Sequence, residues 1–244
     1  MVFGKKGTSS AAVRQRPDVP DGHRHVLELL DREEAANPHQ RAQMGGTILL
    51  DLAMRTMNRD KGIHIESLIA ALASCGGAAC LQAAFDAARE SGKSLEDCGF
   101  MVIETKDGGK FYYGDPPNFF LWENPASLLG LTLGAAQALG ASVSAAMVEE
   151  VMGHVAKTVG TDQFGIPRKE KAANVPDLPV NWVKAFKDIF ADALETYEVP
   201  LQQRPAAFGF ALQKAIDAGK QAAPPMALAQ IAVECALPMS KLDL

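Results

Sequence analysis

The feature of this sequence that most constrains its fold is a stretch of small and apolar residues from Gly62 to Gly92, GIHIESLIAALASCGGAACLQAAFDAARESG. Its apolar residues largely recur at the three- and four-residue steps of one helix face, which predicts an α-helix. No charged side chain lies between Ile69 and Gln82. Because a helix that is apolar nearly all round is normally enclosed by other elements, we predict that this is the core helix.

Two adjacent glycines, Gly76 and Gly77, lie in the middle of the predicted helix. Glycine in a helix interior costs about 1 kcal/mol relative to alanine, so the pair indicates close packing, a kink or a nearby ligand. We favour close packing, because crossings of small residues are common between helices and mid-helix glycine pairs that face a ligand are not. The helix is therefore predicted to let a neighbouring element approach its backbone closely.

The cysteines are too few and too apolar in setting to form a disulfide framework: Cys75, Cys80, Cys98 and Cys235. On a helix, five residues turn by about 500°, so the sulfurs of Cys75 and Cys80 point apart. We therefore predict buried structural thiols, with no disulfide and no bound metal between them, and we expect no cofactor. Such thiols suit a reducing cytoplasm.

Charge and hydropathy argue against two classes of partner. The net charge of -5 on 244 residues argues against nucleic acid. The uncharged stretch Pro125 to Val148 is long enough to span a bilayer, but Gly, Ala, Ser and Thr dilute its hydrophobicity, so we interpret it as two buried helices and expect no membrane partner. No apolar run follows the N-terminal lysines, which argues against a secretory signal. The predicted location is the cytoplasm.

The chain is predicted to have four segments. Residues 1–22 are polar and form a loose arm, 23–160 form a helical core with a β-hairpin at 98–122, 161–181 form a long loop, and 182–244 form helices packed on the same core. Apolar periodicity within these segments predicts further helices at 23–37, 48–58, 125–139, 144–159, 183–197, 205–219 and 227–236. Thr47 is the predicted N-cap of the second of these helices.

The residues from Cys98 to Trp122 are the ones with strand character. The sequence GFMVIETKDGGKFYYGD predicts two strands joined at Asp107–Gly109, and 119–122 could return as a third strand. Alternation predicts apolar residues on both faces, with Val102, Phe111 and Tyr113 on one and Met101, Ile103 and Tyr112 on the other. Both faces then have to be covered, by helices or by a second subunit. The predicted fold class is α+β, predominantly helical, with an antiparallel hairpin or three-stranded meander on the central helix.

Candidate site residues fall in two places. His64 and Glu66, at the start of the central helix, are candidates for acid and base, and Asp115 is a third catalytic candidate. The H-x-E pattern occurs in zinc deaminases, but the P-C-x-x-C that accompanies it is absent, so no metal site is predicted. The second group could orient or bind a ligand with polar groups on apolar side chains: Lys110, Tyr112, Tyr113, Asn118 and Trp122.

Two segments carry a resemblance, HIESLIAALASCGGAACLQAAF and ETKDGGKFYYGDPPNFFLWE. Over roughly residues 62–125 the chain resembles a family of bacterial proteins of unknown function. The resemblance implies a bacterial cytoplasmic protein. It implies no activity and adds no catalytic residue.

Two functions of different classes are compatible with the sequence, and whether the protein is an enzyme stays open. The favoured one is a non-enzymatic, self-associating protein, in which the apolar hairpin and the small-residue helices form a two-fold homodimer interface. The alternative is a small-molecule binding protein or enzyme with a pocket between the hairpin turn and the start of the central helix. A third option is that the tail and the loop at 160–181 bind a larger partner.

Overall fold

The computed structural model describes residues 19–58, 62–106, 108–168 and 174–244. Two strands, β1 (Phe100–Glu104) and β2 (Lys110–Gly114), form one antiparallel sheet. The helices, in chain order, are α1 (Asp21–Glu33), α2 (Gln40–Met57), α3 (Ile65–Ser91), α4 (Asp115–Asn118), α5 (Leu128–Ala138), α6 (Ala145–Thr158), α7 (Pro179–Thr196), α8 (Arg204–Gly219) and α9 (Pro225–Met239). The predominantly helical α+β class is confirmed. Most of the predicted N-terminal arm, residues 1–18, lies outside the described residues.

The predicted core helix is α3, and other helices enclose it. His64 caps its first turn, where the ring accepts a hydrogen bond from the Ser67 amide, and Gly92 ends it in the left-handed conformation at φ +69°. Helices α7, α8 and α9 all pack against it. Within the described part of the chain, α3 is the one helix long and apolar enough to cross a membrane by length and composition, and 78% of its most apolar stretch is buried.

Close packing at the paired glycines is confirmed. A Cβ atom placed on Gly77 would lie 2.1 Å from the carbonyl oxygen of Ala236, so the backbones of α3 and α9 are in direct contact there. On the other side, a Cβ on Gly76 would lie 2.8 Å from Leu128 of α5 and 2.9 Å from Phe208 of α8. The glycines therefore let α3 fit between three helices, which no larger residue permits.

Helix α2 begins earlier than the sequence predicts. It starts at Gln40, so Thr47 is an interior residue and not the N-cap. The prediction was wrong because Gly45 and Gly46 resemble a helix boundary. A Cβ on Gly46 would lie 2.8 Å from the Ala207 carbonyl oxygen, so this glycine lets α2 cross α8 closely.

The two helices predicted from Pro125 to Val159 are present as α5 and α6, with the chain irregular at 139–144. Ser127 caps α5 by accepting a hydrogen bond from the Gly130 amide at 3.1 Å. At the other end of the chain, α9 continues past Pro238 to Met239. A proline in the last turn lacks only its own N–H, and Ser240 still donates to Ala236.

Of the two predicted alternatives, the two-stranded hairpin is the one observed, and residues 119–122 do not return as a third strand. Phe119–Glu123 forms a π-helical turn that continues α4. Pro116 and Pro117 favour a first helical turn and cannot donate to a strand ladder. The sheet is extended instead by the C-terminal segment, where Leu242 forms an antiparallel bridge to Phe111 on the outer side of β2.

The predicted assignment of residues to the two faces of the hairpin is also wrong. Cross-strand partners share a face, and the register pairs Met101 with Tyr113, Val102 with Tyr112 and Ile103 with Phe111. The connection between the strands spans residues 105–109, which is longer than the predicted tight turn, and Asp107 lies outside the described residues. A one-residue change in register moves every side chain to the opposite face.

Two buried ion pairs join elements that are distant in sequence. Arg41 of α2 pairs with Asp31 of α1, and both side chains are at most 4% exposed. Arg168, in the long connection after α6, pairs with Glu234 of α9, whose side chain is 1% exposed. Phe164 of the same connection packs edge-on against Phe111. The part of the predicted loop from 161 to 168 is therefore attached to the core.

Candidate functional site

His64 and Glu66 form a hydrogen-bonded pair at the first turn of α3. His64 Nδ1 accepts from the Ser67 amide at 3.3 Å, so the ring proton is assigned to Nε2, which lies 3.0 Å from Glu66 Oε2. The other carboxylate oxygen accepts from Asn174 Nδ2 at 2.9 Å. These hydrogen bonds cap α3 and connect it to Asn174. Among the described residues, no group of three His, Cys, Asp or Glu side chains could hold a metal.

The two predicted groups of site residues do not meet. The ring of Tyr112 packs edge-on against Phe85 with the centroids 4.8 Å apart. Phe85 lies near the C-terminal end of α3, and about 28 Å of helix separates it from Glu66. A single pocket between the hairpin and the start of the central helix therefore cannot hold both Tyr112 and Glu66; the sequence had left open whether the two groups converge.

Within the hairpin region, three of the candidates meet on Lys241, a residue that the sequence did not indicate. Lys241 is 2% exposed. Its Nζ donates to Asn118 Oδ1 at 2.8 Å and lies 5.3 Å from the centroid of the Tyr113 ring. Its backbone carbonyl accepts from the Tyr112 amide at 2.9 Å. Lys241 therefore fixes the C-terminal segment to β2 and to the end of α4.

Burial determines the electrostatics of this cluster. Burial lowers the pKa of Lys241 to about 8, and the electrostatic interactions of its ammonium group with Cys80 and Glu123 partly oppose this shift. The same burial also raises the pKa of Tyr113 to about 12 and raises the pKa of the Cys80 thiol well above its ordinary range. A lysine that loses its proton near neutral pH can act as a base or a nucleophile. At 2% exposure, however, this amine cannot meet a substrate, and we assign it an anchoring role.

The other candidates are dispersed. Lys110 is exposed at the start of β2, opposite Glu104. Asp115 lies in the first turn of α4. Trp122 lies in the π-helical turn, and its buried Nε1 has no hydrogen-bond partner within the described residues, as is also true of the Tyr113 hydroxyl. Trp122 packs against the hydrophobic core, whereas Lys110 and Asp115 are exposed.

A pH prediction follows from the buried lysine. Between pH 8 and 10.5 the unfolded chain still binds the Lys241 proton that the native state has released, so native stability rises with pH there. Relative to a Lys241→Met variant, the wild type is expected to gain up to about 1.4 kcal/mol per pH unit in this window and nothing below it. Urea unfolding of both proteins from pH 6 to 10 measures this difference. A constant difference across that range would contradict the assignment.

The outer edge of β1 is the least protected part of the hairpin. Three consecutive apolar residues are exposed there, Met101 by 63%, Val102 by 45% and Ile103 by 36%. The Tyr112 amide donates away from β1 to Lys241, so Val102 and Tyr112 are a non-hydrogen-bonded pair. The backbone N–H and C=O of Val102 therefore point outward from the sheet, where no backbone group of the described residues pairs with them.

Comparison of the chain with protein-family models, with curated proteins and with solved structures found no match. The resemblance of residues 62–125 to a bacterial family of unknown function remains a prediction. The function is therefore argued from the geometry of the hairpin and of the helices around it.

Proposed function

We propose that this protein is a non-enzymatic, self-associating protein that forms a homodimer through the outer edge of β1. The proposal rests on one feature of β1. The backbone groups of Val102 point outward from the sheet, and the side chains exposed on both faces of the strand are apolar. Soluble proteins usually protect such an edge with lysine, proline or a covering element. The glycine-rich helices play no part in this interface, because they are packed inside the subunit.

One register between the two β1 strands of the dimer pairs the outward backbone groups of Val102 and Glu104. The Phe100 amide already donates to Leu95 within the subunit, which leaves Val102 and Glu104 as the residues with outward groups. An antiparallel pairing centred on Ile103 places Val102 opposite Glu104 of the partner subunit, and the reverse, and forms four hydrogen bonds around a two-fold axis. Ile103 then faces its own copy across the axis.

The charges and the apolar side chains along the outer edge of β1 favour a second copy of the chain as the binding partner. In this register the two Glu104 side chains are not opposite each other, and each lies beside Lys110 of its own hairpin. The apolar side chains of Met101 and Ile103 lie on one face and meet the same face of the partner. A two-fold pairing is therefore self-complementary in backbone, apolar surface and charge.

The dimer is tested by removing one backbone donor. Val102→Pro deletes an N–H that the native hairpin does not use, and prolines are tolerated at sheet edges. It removes two hydrogen bonds per dimer, so we expect the dissociation constant to rise by about 10- to 100-fold. Val102→Thr keeps the N–H and the branched shape and is the matched control. Sedimentation velocity at micromolar concentration measures both.

A wild-type protein that sediments as a monomer and still melts cooperatively would overturn the proposal. The register has its own test, Ile103→Cys in a Cys98→Ser background. Non-hydrogen-bonded antiparallel partners have Cα atoms about 4.5 Å apart, which is within disulfide range, so mild oxidation should cross-link the dimer across its axis.

A further inference from the structure

A cavity of about 430 Å³ lies between α3, α7, the start of α8 and the C-terminal residues Asp243 and Leu244. Its residues on α7 run from Val183 to Leu194, about 16 Å of helix, and its residues on α3 run from Cys75 to Gln82, about 10 Å. The volume is within the range of roughly 300–1,000 Å³ typical of small-molecule sites. It is distinct from the hairpin edge and from the cluster around Lys241.

The walls of this cavity are mainly apolar. They are formed by alanines of α3 and by aliphatic and aromatic side chains of α7 and α8, including Ala78, Ala79, Val183, Phe190, Leu194 and Phe208. The Cys75 thiol also lines the cavity, and burial raises its pKa well above the ordinary range. The thiol is therefore neutral at physiological pH and cannot act as a thiolate nucleophile. The cavity is suited to holding an apolar chain without covalent chemistry.

Arg204 lines the cavity at the start of α8. Its Nε donates to the Val199 carbonyl at 3.3 Å, and no carboxylate within the described ranges lies at ion-pair distance from its guanidinium. Burial lowers its pKa, against the attraction of Glu195 and Asp86. It also stands in the first turn of α8, where the helix dipole favours an anion. An anionic group at this end would improve the solvation of Arg204.

With Arg204, the charged side chains of the cavity comprise two of each sign. Lys187 and Asp188, adjacent on α7, contribute one charge of each sign. Asp243 accepts a hydrogen bond from Gln82 Nε2 at 3.0 Å. The cavity thus combines a mainly apolar lining with a partly buried guanidinium that has no carboxylate at ion-pair distance within the described ranges.

We propose that this cavity binds a single-chain amphipathic carboxylate, with the alkyl chain along the groove between α3 and α7 and the carboxylate on the guanidinium of Arg204. A planar guanidinium matches a carboxylate in geometry, and such charge-assisted hydrogen bonds are stronger than neutral ones. The lining residues extend about 16 Å along α7, which is long enough for an extended alkyl chain of about ten carbons.

The test compares three probes with the same chain and different ends: decanoate, decanol and decylamine. By titration calorimetry on the full-length wild type, we expect saturable binding in the order decanoate, decanol, decylamine. Arg204→Met should weaken decanoate binding by about 10-fold and leave decanol unchanged. Lys184→Met, which removes an exposed charge from α7 outside the cavity, is the matched control and should change neither. Ala78→Phe fills the groove and should abolish binding of all three.

Several results would overturn the proposal. These are no saturable decanoate binding by the folded wild type, binding that Ala78→Phe does not reduce, or equal loss of decanoate and decanol on Arg204→Met. Tighter binding of decylamine than of decanoate would also overturn it. If Arg204→Met fails to fold, as judged by its thermal melt, Arg204→Lys keeps the charge without the planar fork and should retain the preference for decanoate over decanol at reduced affinity.

Discussion

Gly77→Ala is expected to destabilise the protein by about 3 kcal/mol or more, although alanine is the better helix former. The added Cβ would lie 2.1 Å from the Ala236 carbonyl oxygen and 2.8 Å from its carbonyl carbon. These are backbone atoms of α9, so no side chain can rotate to make room. Either α9 must move away from α3, or one of these two helices must distort. Urea unfolding followed by circular dichroism measures the loss.

The matched control is Gly134→Ala in α5. No heavy atom would lie within 4 Å of the new Cβ there, so only the helix preference of alanine acts, and stability should rise by about 1 kcal/mol. The same chemical change is thus expected to have opposite signs at two helical sites. If Gly77→Ala also stabilises the protein, the close contact between α3 and α9 does not exist in solution.

The sequence predicted the extent of α3 well, and the reason is local. The apolar pattern, the capping residue His64 and the left-handed Gly92 all lie within the helix or next to it. The same applies to α8, where Pro205 near the start and Gly219 at the end mark the boundaries. Patterns of this kind depend on the geometry of one helix, so they can be read without knowing what packs against it.

The errors occurred where the outcome depends on another part of the chain. Gly46 is part of a helix because α8 crosses it closely, and Leu242 replaces the alternative third strand because the C-terminal segment folds back onto β2. Nothing adjacent to residue 46 or to the hairpin contains this information. The faces of the hairpin were assigned incorrectly because they depend on the length of the loop at 105–109.

The candidate site was the least predictable part. Tyr113 and Asn118 both contact Lys241, and this lysine comes more than a hundred positions later in the chain. Arg204 likewise resembles an ordinary charged residue at a helix start. Its distinguishing property is the cavity that α3 and α7 form beside it, and this arises only from tertiary packing.

Arg168→Met is the second substitution with a large expected effect. Arg168 Nε and Nη2 donate to Glu234 Oε1 at 2.8 and 2.5 Å, and the Glu234 side chain is 1% exposed. Removing the arginine leaves a buried carboxylate without its counter-charge, which costs about 3–5 kcal/mol. The other partner, Glu150, is 57% exposed and adds little. Equilibrium unfolding in urea measures the change.

An exposed pair supplies the control. Arg55 lies 3.0 Å from Asp51, with side chains 77% and 58% exposed, so Arg55→Met should cost less than about 1 kcal/mol. Equal losses at the two sites would show that the pair of Arg168 and Glu234 is as hydrated as a surface pair.

The double variant Arg168→Met, Glu234→Leu separates the two contributions to this loss. If the cost of Arg168→Met comes from the uncompensated charge on Glu234, removing that charge should restore most of the lost stability, because apolar residues often replace a buried ion pair without net cost. If the cost comes from loss of the link between the 161–168 connection and α9, the double variant should stay as unstable as the single one. Limited proteolysis reports on the link directly. One outcome separates the two roles: faster cleavage within 161–168 in both variants, with stability restored only in the double variant. The lost free energy of unfolding would then come from the buried charge of Glu234, and the order of the 161–168 connection would depend on Arg168.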